Sequence, residues 1–185
     1  MIINMRLKEK YQKQIVPKIK ENLGLKNNML VPRLTKVVLN AGFGRHTKEK
    51  EFATSVEKGL NKITGQKSVF TKAKKSISAF KIREGQVIGA KVTLRGHRMY
   101  DFVEKLVNIT FPRVRDFRGL SEKAMDRNGN LTIGFKDYTC FPEIRAEEVD
   151  NAFGLEVCLS TSAKNREAGS ELFRLLGFPF KKDSK

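Results

Sequence analysis

Between Gln66 and Gly96 the chain sets Lys72, Lys74, Lys75, Lys81, Arg83, Lys91 and Arg95 against a single acid, Glu84. At this density such side chains do one kind of chemistry, the neutralisation of phosphates. Crowded like charges repel one another in a folded chain and gain only when an external polyanion releases its counterions to them. The same sign runs through the whole sequence, with 37 Lys and Arg against 20 Asp and Glu, a net charge of +17 and a pI near 10.0. Solubility alone needs a net charge of only about 2–8 in magnitude. A phosphate-rich partner is the expectation.

Groups that would serve an enzyme are few and scattered. His46 and His97 have no carboxylate at a motif spacing, and Cys140 and Cys158 form no CxxC pair and have no neighbouring His, so neither catalysis nor zinc is indicated and no cofactor is expected. Both cysteines read as ordinary buried thiols. The local letters of GLNKITGQKS tempt towards a P-loop, but Gln66 interrupts the Gly-Lys-Ser and the residues upstream read as a helix end. Gly42-Phe43-Gly44 lacks the third glycine of a dinucleotide turn. No apolar run approaches the ~20 residues that span a bilayer, and MIINMRLKEK is too charged for a secretory signal, so a cytoplasmic protein with no membrane partner is expected.

The elements that must position the cations follow from hydrophobic spacing. At 185 residues the chain fits one domain, residues 1–185, with a long basic loop over about 72–86 and a frayed tail from about 180. Tyr11, Ile15, Ile19 and Leu23 predict an N-terminal helix that kinks or restarts at Pro17 and is capped by Gly24. In RLTKVVLNAG, Thr35, Val37, Leu39 and Ala41 alternate with Leu34, Lys36, Val38 and Asn40, which predicts a strand with one core face. A second helix, capped by Thr47, carries Phe52, Ala53, Val56, Leu60 and Ile63 and ends at Gly65. Strands follow over 66–71 and 86–95, the latter with Ala90, Val92 and Leu94 opposite Lys91, Thr93 and Arg95.

Beyond Gly96, Met99, Phe102, Val103, Leu106 and Ile109 predict a core-facing helix stopped near Pro112. An irregular loop carrying Arg113, Arg115, Arg118 and Arg127 comes next, then strands over LTIGF and LEVCLS, and a last helix from about Asn165 that buries Ala168, Leu172, Leu175 and Leu176 and closes at Gly177. This order predicts an α+β fold: a two-layer domain with a mostly antiparallel five-stranded sheet, helices packed on one face and the other face available for a phosphate-rich partner, which the resemblance given below makes RNA. One registry collects Lys36, Asn40, Gln66, Ser68, Lys91, Thr93 and Arg95 on that open face. Asp137, Glu143, Glu147, Glu148 and Asp150 form the main acidic cluster, a solvated loop or a docking surface for a basic protein.

RLTKVVLNAGFG, QKSVFTKAKKSISAFKIR, GAKVTLRG, FPRVRDFRGLS and the segment 163–177, matching in order through nearly the whole chain, resemble the family of large-subunit ribosomal protein L-five in its bacterial form. The resemblance implies a non-catalytic protein of the central protuberance that binds 5S rRNA and 23S rRNA beside other proteins of that region, touches P-site tRNA and bridges to small-subunit protein S-thirteen. It assigns the sheet face of Lys36, Asn40, Gln66, Ser68, Lys91, Thr93 and Arg95 to 5S rRNA. It assigns the loop carrying Lys72, Lys74, Lys75, Ser76 and Arg83 to tRNA, and Glu143, Glu147, Glu148 and Asp150 to the bridge. The competing readings are another structured-RNA-binding protein, an RNA-modifying enzyme and a DNA-binding architectural protein. The last two lack a catalytic constellation and a DNA-reading motif respectively.

Overall fold

A computed structural model describes residues 6–46, 49–144 and 153–181. The N-terminal periodicity forms one helical run: α1 (Leu7–Lys10), a π turn (Tyr11–Ile15) and α2 (Val16–Leu23). Pro17 accounts for the wide turn, because it has no N–H for the carbonyl of Lys13 and its ring would press on that oxygen. The Val16 amide instead donates to the Tyr11 carbonyl, five residues back. Tyr11, Ile15 and Ile19 are buried along this run, while Leu23 is half-exposed.

The remaining elements are β1 (Leu34–Gly42), α3 (Lys50–Thr64), β2 (Val69–Lys72), β3 (Val87–Leu94), α4 (Gly96–Lys105), α5 (Phe111–Arg113), β4 (Leu131–Phe135), β5 (Leu155–Thr161) and α6 (Arg166–Leu176). A second π turn, Leu106–Thr110, joins α4 to α5. The strands make a five-stranded antiparallel sheet in the order β2-β3-β1-β5-β4. Along each of the four longer strands alternate residues are buried: Val37, Leu39 and Ala41 on β1, Ala90, Val92 and Leu94 on β3, Leu131, Ile133 and Phe135 on β4, Leu155, Val157 and Leu159 on β5. Such period-two burial marks a sheet with one covered face and one open face.

The chain gathers into two compact units. The first draws on Met1–Val37, Leu94–Ile133 and Cys158–Lys185, the second on Val38–Thr93 and Gly134–Val157. The division cuts through β1, β3, β4 and β5 rather than through a linker. Ile19, Val103, Leu106, Phe111, Leu172 and Phe173 lie in the core of the first unit, and Leu39, Val56, Leu60, Ala90, Phe141 and Val157 in that of the second.

Helix ends fall where the glycines predicted them, with Gly24, Gly65 and Gly177 in left-handed conformation directly after α2, α3 and α6. The expected cap Thr47 lies outside the described residues, and Glu49 stands before α3 without a side-chain capping bond. Ile109 is 43% exposed rather than core, because the π turn rotates the helical face just where it sits. In α6, Gly169 and Phe173 are buried with Leu172 and Leu176, whereas Ala168 and Leu175 are half-buried. The start of the expected frayed tail is tied down, since Phe180 bridges to Leu120 and the Lys181 amide donates to the Leu120 carbonyl at 2.9 Å. Residues 182–185 lie outside the described part.

Candidate nucleic-acid interface

In the second unit the open side of the sheet is set by the pairing of β2 with β3. The antiparallel register places Val69 opposite Lys91, Phe70 opposite Ala90 and Thr71 opposite Gly89, with a bulge between Thr71 and Lys72. Directly opposed residues share a face, so Val69 and Thr71 stand with exposed Lys91, and Phe70 is on the side of buried Ala90 and Val92. This corrects the expected face by one residue. Ser68 is only 6% exposed and does not stand with Lys91 and Thr93. Its amide donates to Asn61 Oδ1 at 2.7 Å, and its hydroxyl has no hydrogen-bond partner among the described residues.

The cause is local. The expected strand over 66–71 begins only at Val69, because Gln66-Lys67-Ser68 is a turn held by the end of α3. Thr64 Oγ1 donates to the Leu60 carbonyl and accepts the Gln66 amide, and Asn61 holds Ser68. Gln66 reaches the sheet by its side chain, whose Nε2 donates to the Thr93 carbonyl at 3.1 Å. On β1, Asn40 is half-buried between buried Leu39 and Ala41, on the side of the strand opposite theirs. In the second unit, therefore, Asn40, Val69, Thr71, Lys91 and Thr93 present amide, hydroxyl, methyl and ammonium groups on the uncovered sides of three strands.

Two expected contacts belong to the first unit. Lys36 is half-exposed on β1, and exposed Arg95 donates from Nη1 to the Thr35 carbonyl at 3.4 Å. Sequence reasoning passed over the open positions of β4 and β5. Thr132, Cys158 and Ser160 of the first unit and Glu156 of the second occupy them, and strict alternation through LTIGF and LEVCLS would have found all four.

The basic loop is a hydrogen-bonded hairpin within the second unit. Ala73 donates to the Gln86 carbonyl at 2.8 Å and Gly85 to the Ala73 carbonyl at 3.0 Å, while Ile77 and Ile82 exchange backbone bonds of 2.9 and 3.2 Å nearer the tip. Ser76 Oγ accepts the Glu84 amide, and Gln86 Oε1 accepts that of Arg83. A Ser78–Phe80 turn closes the tip, with Lys81 held in left-handed conformation at φ 54°. Lys72, Lys74, Lys75, Lys81 and Arg83 are exposed around it. So is Phe80, at 70%, which the sequence reading passed over; an aromatic ring inside a lysine-rich loop was the available signal.

Of the acidic candidates, Glu143 is described and half-buried, whereas Glu147, Glu148 and Asp150 lie outside the described residues. Either side of that gap the insertion rests on α3: Tyr138 stacks on Phe153 with ring centres 4.0 Å apart, and a Cβ at Gly59 would meet the Phe153 ring at 3.0 Å. The remaining titratable groups named at the outset are engaged locally, His46 with Glu49 Oε1 at 3.3 Å and His97 with Lys8 Nζ at 3.0 Å. Cys140 is buried and Cys158 half-buried, both as free thiols.

Residues 27–83 match the family model of ribosomal protein L5, and residues 87–180 match the model of that family's C-terminus. The chain belongs to the ribosomal protein L5 family. Large ribosomal subunit protein uL5 of Francisella tularensis subsp. novicida is 51% identical over 176 residues, covering 95% of this chain and 98% of the relative. The protein of the same name from Desulforapulum autotrophicum is 52% identical over 175 residues, with the same coverage. Membership makes the chain a ribosomal protein of the large subunit, a structural rather than a catalytic class, with ribosomal RNA as its partner.

Proposed function

We propose that within the large subunit the chain binds 5S rRNA through the open sides of β1, β2 and β3, and also holds 23S rRNA in the central protuberance. The observation that carries this reading is the β2–β3 register, which puts Thr71 and Lys91 on one uncovered face beside Val69. Lys91, Lys36 and Arg95 supply affinity by releasing counterions, while Asn40 and Thr93 supply hydrogen bonds to sugar hydroxyls and exposed base edges of folded RNA. Gln66 holds the turn before β2 against β3 and acts by positioning; Ser68, buried, is left out of the contact set.

The hairpin over 72–86 reaches P-site tRNA with Lys72, Lys74, Lys75 and Arg83, while Ser76 braces the hairpin from within. Glu143, Glu147, Glu148 and Asp150 supply the acidic side of a bridge to the basic small-subunit protein S-thirteen. The hairpin is the better supported of these two contacts, because its cations are exposed on a hydrogen-bonded frame.

Filter binding to 5S rRNA tests the face. Asn40→Ala with Thr93→Val should weaken binding roughly tenfold with an unchanged salt slope, and Lys91→Ala should lower the slope by about 1, since each neutralised phosphate contributes close to that. Unchanged affinity in both variants would falsify the assignment. In the same preparations, deletion of Ala73 to Phe80 should leave 5S binding intact and reduce P-site tRNA occupancy of reconstituted subunits; loss of both together contradicts a separate tRNA contact.

A further inference from the structure

We propose that the segment from Phe111 to Leu120, α5 with the loop that follows it, is a second phosphate-binding site, in which Arg113, Arg115 and Arg118 grip the backbone of a folded RNA. The inference rests on the reading that the chain works on ribosomal RNA, and it lies entirely within the first unit.

The segment is fixed along its length. At its start Phe111 is fully buried, meets Phe178 edge-on at 5.9 Å, and accepts the Val114 amide on its carbonyl at 3.2 Å. In the middle, the Phe117 ring stacks on Phe111 with centres 5.1 Å apart and planes 13° from parallel. At its end the Leu120 amide donates to the Pro179 carbonyl at 2.7 Å, and Lys181 donates back to Leu120. Gly119, at φ +99°, lies so close to the C-terminal segment that a Cβ there would be 2.9 Å from the Lys181 nitrogen.

On this frame the three arginines are exposed, and among the described residues no hydrogen bond or ion pair holds their guanidinium groups. Three other arginines of the same unit are engaged: Arg95 donates to the Thr35 carbonyl at 3.4 Å, and Arg166 and Arg174 donate to the Glu122 carbonyl and to Glu122 Oε1, each at 2.6 Å. The loop's one acid, Asp116, is exposed and held at φ 54°. Asp116 and Lys81 are the two described non-glycine residues with positive φ, one in each cationic loop. Conformations of that kind persist only where the surroundings enforce them, and they gather at functional sites.

Guanidinium forks match phosphate oxygens two at a time, and a pre-set loop loses little freedom when it binds. An acidic protein would also pair with arginines. The segment offers little of what a protein interface adds, because Val114 and Phe117 are partly buried against the unit and the small ring of Pro112 is its one exposed apolar side chain. The chemistry therefore favours RNA phosphates.

The test compares three full-length variants with the parent chain in filter binding across a sodium chloride series, with 5S rRNA and a 23S rRNA transcript as separate probes. Arg113→Gln, Arg115→Gln and Arg118→Gln together should weaken one probe at least tenfold and lower its salt slope by about 2–3, and that probe identifies the source of the phosphates. A charge-matched control, Lys13→Gln with Lys18→Gln and Lys26→Gln, should lose less than threefold. The three arginines changed to lysine should fall between the parent and the Gln variant, since charge is kept and the fork is lost. Gln and control variants that lose affinity equally on both probes would overturn the proposal, as would a lysine variant indistinguishable from the parent. Failure of the parent to bind 5S rRNA would sink the sheet-face reading while leaving the arginine comparison on the 23S probe decisive. Thermal unfolding of each variant guards against misfolding, and the lysine variant keeps the test valid if the Gln variant is unstable.

Discussion

Gly169 on α6 lies against the turn that precedes β4: a Cβ there would stand 2.5 Å from Gly129 Cα and 2.6 Å from its carbonyl oxygen, both backbone atoms that cannot swing aside. Gly169→Ala should therefore cost about 2–3 kcal/mol in urea unfolding, as overpacking against fixed atoms does. Gly134→Ala, on β4 with no atom within 4 Å of the added carbon, should stay within about 0.5 kcal/mol. The same unit as Gly169 holds Tyr11, whose hydroxyl donates to the Pro32 carbonyl at 3.0 Å. Burial pushes the Tyr11 phenol up to about 12, with the adjacent Tyr100 adding to the rise and Arg33 opposing it. Burial raises Tyr100 as well. A pKa raised by folding means that the neutral form is the one the fold prefers. Its contribution is whole below the unfolded value near 10 and is lost as pH climbs towards 12. Absorbance titration of the phenolate band should show Tyr11 ionising late, together with unfolding. Tyr11→Phe should cost about 1 kcal/mol at neutral pH through the lost hydrogen bond and flatten the alkaline decline.

At the scale of elements, what hydrophobic spacing could settle was settled. Leu39, Val56, Leu60, Val92, Val103 and Leu172 are buried where their periods put them, and the order of helices and strands is the predicted one. The register of β2 was not legible, for a physical reason. Ser68-Val69-Phe70-Thr71 does not alternate cleanly between polar and apolar residues, so nothing in its letters distinguishes the two faces, and a slip of one residue exchanges them. The pairing is decided instead by Asn61 and Thr64 at the end of α3, which hold the chain out of the ladder until Val69. The arginine loop was equally opaque: its cations were visible, but the Phe111–Phe117 stack and the ties to Pro179 and Lys181 that fix it depend on how the folded chain brings them together. The register carries a direct test. Because the Ser68 hydroxyl is buried without a partner among the described residues, Ser68→Ala should leave 5S rRNA affinity unchanged and raise stability by up to about 1 kcal/mol, whereas a Ser68 that faced the RNA would lose affinity on substitution. Parallel filter-binding and urea-unfolding curves decide between them.

For the whole molecule, the net charge of +17 is a cost of the free state, since 20 acids cannot offset 37 cations and the excess cations repel one another. Added salt screens that repulsion, so the unfolding temperature of the free protein should rise by several degrees between about 20 mM and 500 mM sodium chloride, over which the Debye length shrinks from roughly 20 Å to a few ångströms. RNA acts in the opposite sense with respect to salt. On the proposed binding of 5S rRNA, a free RNA concentration about 100 times the dissociation constant should stabilise the fold by about 2.7 kcal/mol through mass action. In a chain of this length that corresponds to roughly 5–11 °C in the unfolding temperature. The binding itself weakens steeply as salt rises, because the released counterions must be displaced into a more concentrated solution. The two curves should therefore approach each other: the free chain climbs with salt, the complex falls, and the gap closes near the concentration at which filter binding is lost. A free chain whose unfolding temperature is indifferent to salt would mean that its cations are already spaced beyond one another's reach, and the excess charge would then need an explanation other than a phosphate partner held in reserve.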